Sequence, residues 1–265
     1  MELAGKTVLL TGATGGLGRA IAAALAGRGG SVVLSSRRSE ELERLAASLP
    51  GSGHRVVVAD LAESGAPERL TAEAGEVDIL VANAGLPASG LVDDYTGDQV
   101  ERAVRVNLEA PIQLTRILLP AMQSRDSGHL VFMSSVAARA PTAGQAIYVA
   151  TKAGLRGFVL SLRQDLWGTG VGASLVSPGF VRDAGMFADT GAKPPPGMGT
   201  KPPEDVAAAV VTAIERDRGE VEVAPVATRA LVAIAHRHPH LAARVSSRNA
   251  QKVAARISRT QVDKR

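Results

Sequence analysis

The chain has 265 residues, no cysteine, 28 glycines and 14 prolines, with 45% apolar and 21% charged side chains. That length suits one large α/β domain or two small ones, and the lack of cysteine excludes disulfide scaffolds and thiolate metal sites. No apolar run approaches the ~18 residues of a membrane span. The first residues lack the pattern of a signal peptide, so a soluble cytoplasmic protein is expected. The formal net charge of +4 hides an asymmetry: positions 225–265 hold nine Lys/Arg against the single acid Asp263, leaving 21 basic and 25 acidic residues in 1–224. Basic character therefore belongs to an appendage and not to a nucleic-acid-reading surface, and no nucleic-acid partner is expected.

In chain order, short Val/Ile/Leu-rich runs occur at Thr7–Thr11, Ser31–Leu34, Arg55–Ala59, Asp78–Ala82, Leu130–Met133, Ala173–Val176 and Glu220–Val223. Runs of this length, apolar throughout, are the mark of parallel strands buried on both faces. Between them, helical spacing covers Leu17–Gly27, Glu40–Leu49, Pro67–Ala74, Gln99–Met122, Tyr148–Trp167 and Glu204–Asp217. The alternation predicts an α/β fold: a doubly wound parallel Rossmann sheet of about seven strands over 1–224, with a basic helical extension over 225–265 that is not an independent domain. Residues 183–203 crowd Gly185, Gly191, Pro194-Pro195-Pro196, Gly197, Gly199 and Pro202-Pro203 together, and read as a loop that covers a pocket.

The first strand runs into Thr11-Gly12-Ala13-Thr14-Gly15-Gly16-Leu17-Gly18. A chain that reverses sharply there, presents backbone N–H groups to a pyrophosphate and packs a helix close to the sheet needs glycine at each of those points. A dinucleotide is the implied ligand. The second strand ends in Ser35-Ser36-Arg37-Arg38, where an NAD(H) site would place an acid for the ribose. Arg37 and Arg38 instead suit a 2′-phosphate, so NADP(H) is expected over NAD(H).

Further along, Tyr148 and Lys152 fall one helical turn apart on one face. A nearby ammonium makes a phenol a better proton shuttle, since an unperturbed tyrosine titrates near ~10. Ser134-Ser135 close an apolar strand, Asn83-Ala84-Gly85 follow the fourth strand, and Asn107 lies inside the long helix that begins near Gln99. Together with Gly5-Lys6, Asp60 and Pro178-Gly179, this ordered set resembles the short-chain dehydrogenase/reductase family, in its shorter branch. The resemblance implies Tyr148 as general acid/base, Lys152 on the nicotinamide ribose and beside the phenol, and Ser135 polarising a carbonyl. It implies Asn107 as part of a relay to Lys152. It also implies a cofactor site formed by Gly12, Thr14, Gly16, Leu17, Gly18, Arg37, Arg38, Asp60, Leu61, Asn83, Ala84, Gly85, Tyr148, Lys152, Pro178, Gly179 and Val181. The expected reaction is hydride transfer between NADP(H) and a ketone or secondary alcohol. The glycine loop also fits the spacing Gly12, Gly15, Gly18 of the longer branch, and Asp183 stands where the family commonly has Thr.

Met186, Phe187 and Met198, with Leu86, Pro87 and Ala138, are candidate pocket lining for a hydrophobic carbonyl compound. The resemblance further implies a homodimer or homotetramer, paired through Gln99–Met122 and Tyr148–Trp167. In the extension, Ala224–Ala235 has helical spacing and Pro239 interrupts it. From Ser247 onward Ala250, Val253, Ala254 and Ile257 share one side, while Arg248, Lys252, Arg256 and Arg259 share the other. Packing on the same subunit or a mate is the first reading of this amphipathic pattern. Contact with a membrane surface ranks below it, because the apolar side is alanine-rich and lacks Trp or Phe. His236, His238 and His240 read as solvated turn residues, and no metal is expected. The rival function is a non-catalytic NADP(H)-binding regulator whose basic tail meets a partner or membrane.

Overall fold

Successive side chains of a strand point to opposite faces of the sheet, and here both faces are apolar. In β1 (Thr7–Thr11) Val8 and Leu10 enter one buried cluster while Leu9 enters the other. Between β1 and the third of its neighbours in the chain lie β2 (Ser31–Ser36) and β3 (Arg55–Val58). In β4 (Ile79–Ala82) and β5 (Gly128–Met133) the division repeats: Ile79, Val81, Val131 and Met133 go to one side, Leu80, Ala82, Leu130 and Phe132 to the other. With β6 (Val171–Pro178) and β7 (Glu220–Val223) they form one all-parallel sheet in the order β3-β2-β1-β4-β5-β6-β7. The computed structural model describes residues 1–191, 194, 197–240 and 242–243.

The helices are α1 (Gly16–Ala26), α2 (Ser39–Ser48), α3 (Ala66–Ala74), α4 (Gly97–Val104), α5 (Ala110–Ser124), α6 (Ala146–Asp165), the single turn α7 (Gly185–Ala188), α8 (Pro203–Glu215) and α9 (Val226–Arg237). Residues of α1, α2 and α8 fill one cluster, and those of α3, α5 and α6 fill the other. The sheet is thus covered on both faces, as parallel strands require. Strand order reverses between β1 and β4, whose C-terminal ends open the crevice where ligands of this architecture bind.

Two expected elements differ. Gln99–Met122 is not one regular helix: α4 passes through a π-helical turn, Arg105–Glu109, before α5 begins. The stretch 183–203 is not a free loop at its base, where the Lys201 N–H donates to the Phe180 carbonyl at 2.9 Å and the Arg182 N–H to the Lys201 carbonyl at 3.0 Å. These bonds tie Val181 to Lys201 as an isolated parallel bridge, and α7 forms inside the loop. Helix α9 matches the expected helical spacing, whereas the amphipathic pattern from Ser247 onward lies outside the described residues. Among the described residues no helix is long and apolar enough to cross a membrane, and no three His, Cys, Asp or Glu side chains are placed to hold a metal ion.

At the N-terminal end of the sheet, β5 buries His129, 2% exposed. Its Nε2 lies 2.8 Å from the Ser174 hydroxyl of β6. Burial pushes its pKa down from 6.5 to about 4, against the pull of the Asp217 carboxylate. Burial of Asp217 works to raise its own pKa, but the Arg163 guanidinium, 2.7 Å away, leaves it lowered. A histidine kept neutral in the fold is protonated in the unfolded chain below its ordinary pKa. The unfolded chain therefore binds the extra proton, and stability falls as pH drops from about 6.5 to about 4, by on the order of 3 kcal/mol in all. His129→Gln should keep a polar contact to Ser174 while removing this titration. Urea midpoints across that window should slope less steeply than wild type, and an unchanged slope would assign the acid sensitivity elsewhere.

Candidate active site

The crevice is built around a polar knot at the ends of β1 and β4. Thr11, 1% exposed, accepts hydrogen bonds at its Oγ1 from the backbone N–H groups of Asn83 and Ala84, both at 3.1 Å. In return Asn83 Nδ2 donates to the carbonyls of Thr11 and Gly12, again at 3.1 Å. Gly12 adopts φ +65°, and a Cβ there would stand 2.8 Å from the Ala84 Cα. The left-handed turn and the close approach both demand glycine. At Gly18 a Cβ would fall 2.2 Å from the Gly12 carbonyl oxygen, so this glycine lets α1 sit tightly on the turn. The N-cap of α1, Gly15, has no side chain with which to cap it. The first-turn N–H groups around Gly16, Leu17 and Gly18 keep the capacity to bind an anion.

Thr14 is buried in the same turn, its Oγ1 donating to the Ser36 hydroxyl at 3.0 Å. Arg38 does not project freely from the end of β2. Its guanidinium donates to Thr14 Oγ1 at 3.0 Å and to the Thr14 carbonyl at 3.3 Å, and pairs with Glu41 at 2.8 Å. Arg37 is exposed and faces Asp60 at 3.7 Å. Arg37 and Asp60 line a cavity of about 270 Å³ with Val58, Ala59, Arg69 and Leu70. Leu61, next to Asp60 in the chain, packs into the core cluster that also takes residues of α3.

On the other side of the crevice the four expected catalytic residues converge. The π-helical turn holds Asn107 fully buried, where its Oδ1 accepts from the Leu86 N–H at 2.6 Å and its Nδ2 donates to the Leu86 carbonyl at 2.9 Å. Nδ2 also reaches Thr151 Oγ1 at 3.3 Å, and that hydroxyl donates to the Tyr148 carbonyl at 2.8 Å. Lys152, 4% exposed, donates from Nζ to the Met133 carbonyl at 2.8 Å and stands 5.8 Å from the centre of the Tyr148 ring. A Cβ at Gly85 would lie 3.3 Å from Asn107 Oδ1 and 3.7 Å from Lys152 Nζ, so the bare backbone at 85 leaves room where both groups meet. Ser135 is the serine that faces Tyr148, with a hydrogen bond between their side chains. Its Oγ also lies 3.5 Å from the Pro178 carbonyl. Ser134 turns away, to the Lys152 carbonyl at 3.3 Å.

Burial sets the proton chemistry here. It raises the Tyr148 pKa, with the Ser135 hydrogen bond acting in the opposite sense. It lowers Lys152 to about 8. Tyr148 therefore holds its proton at neutral pH and can deliver it to a carbonyl oxygen bonded to Ser135. Beyond β6, Gly179 packs on Ala224, and Val181 is buried at the base of the loop. Asp183 takes φ +66° and pairs with Arg182 at 3.3 Å. Among the candidate pocket residues, Phe187 packs against Phe180 with ring centres 4.7 Å apart and the rings tilted by 55°, and Met186 Cε comes within 3.4 Å of the Cβ position at Gly85. Thr11 and Thr151 were absent from the candidate set, although each positions a candidate directly.

A family model described as short chain dehydrogenase matches residues 6–195. The chain is 38% identical to the ketoacyl reductase HetN of Nostoc sp. strain PCC 7120 over 227 residues, 83% of this chain and 79% of that protein. A short-chain dehydrogenase from Sphingobium yanoikuyae in complex with NADPH superposes with a TM-score of 0.77 at 27% identity, covering 89% of this chain and 95% of that one. One from Burkholderia phymatum in complex with NAD gives 0.79 at 26%, covering 91% and 96%. The chain belongs to the short-chain dehydrogenase family of oxidoreductases.

Thr11→Val keeps the shape of the side chain but strands the Ala84 N–H and leaves the Asn83 N–H only its bond to the Val81 carbonyl at 3.0 Å. Each unsatisfied group costs about 1–3 kcal/mol. Urea denaturation should show a loss of about 1–3 kcal/mol, and no loss would mean that the Asn83-Ala84 turn is held by other means.

Proposed function

We propose that this protein is an NADP(H)-dependent oxidoreductase that interconverts a hydrophobic ketone and the corresponding secondary alcohol. The observation that carries the reading is the meeting of Tyr148 with Ser135 next to a buried Lys152, a geometry with no structural need for a phenol. In the reducing direction Ser135 binds and polarises the substrate oxygen. Tyr148 then passes its phenolic proton to that oxygen as the carbonyl carbon is reduced. Lys152, positioned by the Met133 carbonyl, stabilises the phenolate that remains. Asn107 is a positioning residue. It fixes Leu86 and Thr151 around the lysine.

The glycine turn fits a dinucleotide: an uncapped helix N-terminus follows a turn in which Gly12 and Gly18 carry no side chain, with Ala184 of the covering loop against Gly16. Gly12, Thr14, Gly16, Leu17 and Gly18 would hold the pyrophosphate side, with Asn83, Ala84 and Gly85 along the riboses. Pro178, Gly179 and Val181 would flank the nicotinamide, which supplies or accepts the hydride when bound. Arg37 supports the choice of NADP(H), being exposed, cationic and only loosely paired with Asp60. Arg38 supports it through Thr14, as a strut of the turn. The name of the Nostoc relative, a ketoacyl reductase, supports a 3-oxoacyl compound as the substrate class.

A panel of 3-oxoacyl thioesters and simple ketones, followed at the NADPH absorbance, tests the reaction. Tyr148→Phe should lower kcat by about 10²–10⁴-fold with cofactor affinity nearly unchanged, since it removes the proton and little else. Turnover at the wild-type rate would end the assignment. Arg37→Ala should weaken NADPH by about tenfold or more and leave NADH nearly unaffected, as expected for the loss of a charge-assisted bond. An equal effect on both cofactors would remove the 2′-phosphate from the argument.

A further inference from the structure

Strand β7 reads Glu220-Val221-Glu222-Val223, which puts its valines and its glutamates on opposite faces of the sheet. Val221 and Val223 pack with residues of α1, α2 and α8, so the glutamates face the side that α6 covers. Each glutamate takes an arginine from an element that carries a catalytic side chain. Glu220 binds Arg156 of α6 through both oxygens, at 2.9 Å each, and α6 bears Tyr148 and Lys152. Glu222 binds Arg139, the C-cap of a 3₁₀ turn, Val136–Ala138, whose N-cap is Ser135. Its second oxygen stands 3.9 Å from Arg229 of α9. The Glu222 side chain is 15% exposed and that of Arg139 23%. Exposed ion pairs contribute little. In a mostly buried pair, removing one partner leaves a charge behind in dry surroundings.

The backbone bonds of the turn after Ser135 close within it. The Ala137 N–H donates to Ser135 Oγ at 3.2 Å, the Ala138 N–H to the Ser135 carbonyl at 3.0 Å and the Arg139 N–H to the Val136 carbonyl at 3.0 Å. They shape the turn without fastening it to the sheet. The Arg139–Glu222 pair does fasten it, and to the same strand that holds α6 through Arg156. Side chains two apart on a strand are separated by about 7 Å, so β7 imposes a fixed offset on the two elements. We propose that Glu220 and Glu222 are positioning residues, which through Arg156 and Arg139 hold Ser135 in register with Tyr148. The proposal rests on the reading of Ser135 and Tyr148 as the groups that meet the substrate oxygen. A misplacement of about 1 Å at such a site costs on the order of 10²-fold in rate.

Two measurements on the full chain test this. In carbonyl reduction with NADPH, Arg139→Met should lower kcat by about 10- to 100-fold at unchanged NADPH affinity. That variant leaves Glu222 its contact with Arg229. Glu222→Gln should lower kcat likewise, and serves for every comparison if Arg139→Met does not fold. Arg139→Lys, which keeps a cation beside Glu222, should recover most of the loss. In a Ser135→Ala background Arg139→Met should cost less than about twofold more, because the group it positions is already gone. The second measurement needs no turnover. The chain has two tyrosines, so carbon-13 at the tyrosine Cζ gives two NMR signals, assigned with Tyr148→Phe. Ser135→Ala removes a hydrogen bond to the phenol and should shift the Tyr148 signal. Arg139→Met should shift it in the same direction. A variant that keeps both the wild-type kcat and the wild-type Tyr148 signal would overturn the proposal. So would a loss of kcat that persists in full in the Ser135→Ala background, the mark of a general structural effect. A wild type inert towards every carbonyl would end the reading of the site, while the Tyr148 signal would still decide whether the pair positions Ser135.

Discussion

Everything at the catalytic edge depends on how β1 and β4 are joined where the strand order reverses. Two neighbouring parallel strands diverge there, and their last backbone groups must find partners without closing the crevice between them. Thr11 does this with one oxygen that receives two N–H groups, and Asn83 returns two bonds from one amide nitrogen. Each bond is worth about 1 kcal/mol net, and a part-buried donor left unpaired, as the Ala84 N–H would be without Thr11, costs more. Gly12 is its steric condition, because any side chain would strike Ala84. The turn, the bare wall at Gly85 and the start of α1 all take their positions from this junction.

The second wall is anchored to the same junction through the 84–86 segment. Asn107 meets both backbone groups of Leu86, and Thr151 passes that constraint to the turn of α6 bearing Tyr148 and Lys152. A regular helix would have continued from α4 into α5 without the extra residue that the π-helical turn accommodates. Such turns are rare, and they gather at functional sites. Here the turn leaves Asn107 with no exposed surface and all of its polar atoms engaged. Lys152 then keeps a hydrogen bond to Met133 in a site dry enough to lower its pKa to about 8. The lysine is consequently a readily discharged cation beside a phenol that holds its proton. That ordering suits delivery of a proton from the phenol while the ammonium stabilises what remains.

The strands were legible because most of them carry a short Val/Ile/Leu-rich run closed by turn residues, a pattern that parallel burial enforces, while β7 at the sheet edge reads Glu-Val-Glu-Val. Gly12 and Gly18 were legible for the same kind of reason, since no other residue fits their packing. Apolar pattern alone does not choose between Ser134 and Ser135; the family resemblance selects Ser135, and in the fold Ser135 faces Tyr148 while Ser134 turns to the Lys152 carbonyl. The π-helical turn at Arg105–Glu109 leaves no mark on an apolar periodicity that one extra residue merely shifts. Thr11, Thr151 and the Met133 carbonyl act through short bonds to backbone, which have no spacing signature. His129 passed as one polar residue at the start of an apolar strand, yet it is among the most dehydrated titratable groups described. Helix α9 could be read as a helix, but which of its faces the body covers is a matter of three-dimensional packing.

The two arginines after β2 show why residue type alone leaves ligand roles open. Both were candidates for the same phosphate on charge alone. Arg38 is already engaged, donating twice to Thr14 and pairing with Glu41, which also binds Arg19. Releasing it for a ligand would loosen the turn that the ligand needs. Among the described residues Arg37 meets the Asp60 carboxylate, at 3.7 Å and with more than half its side chain exposed. An ion pair of that length in water contributes little, so a dianionic phosphate would displace it at small cost. The arginine with the weaker partner is therefore the freer of the two to meet an anion, and the one with the stronger partners holds the turn.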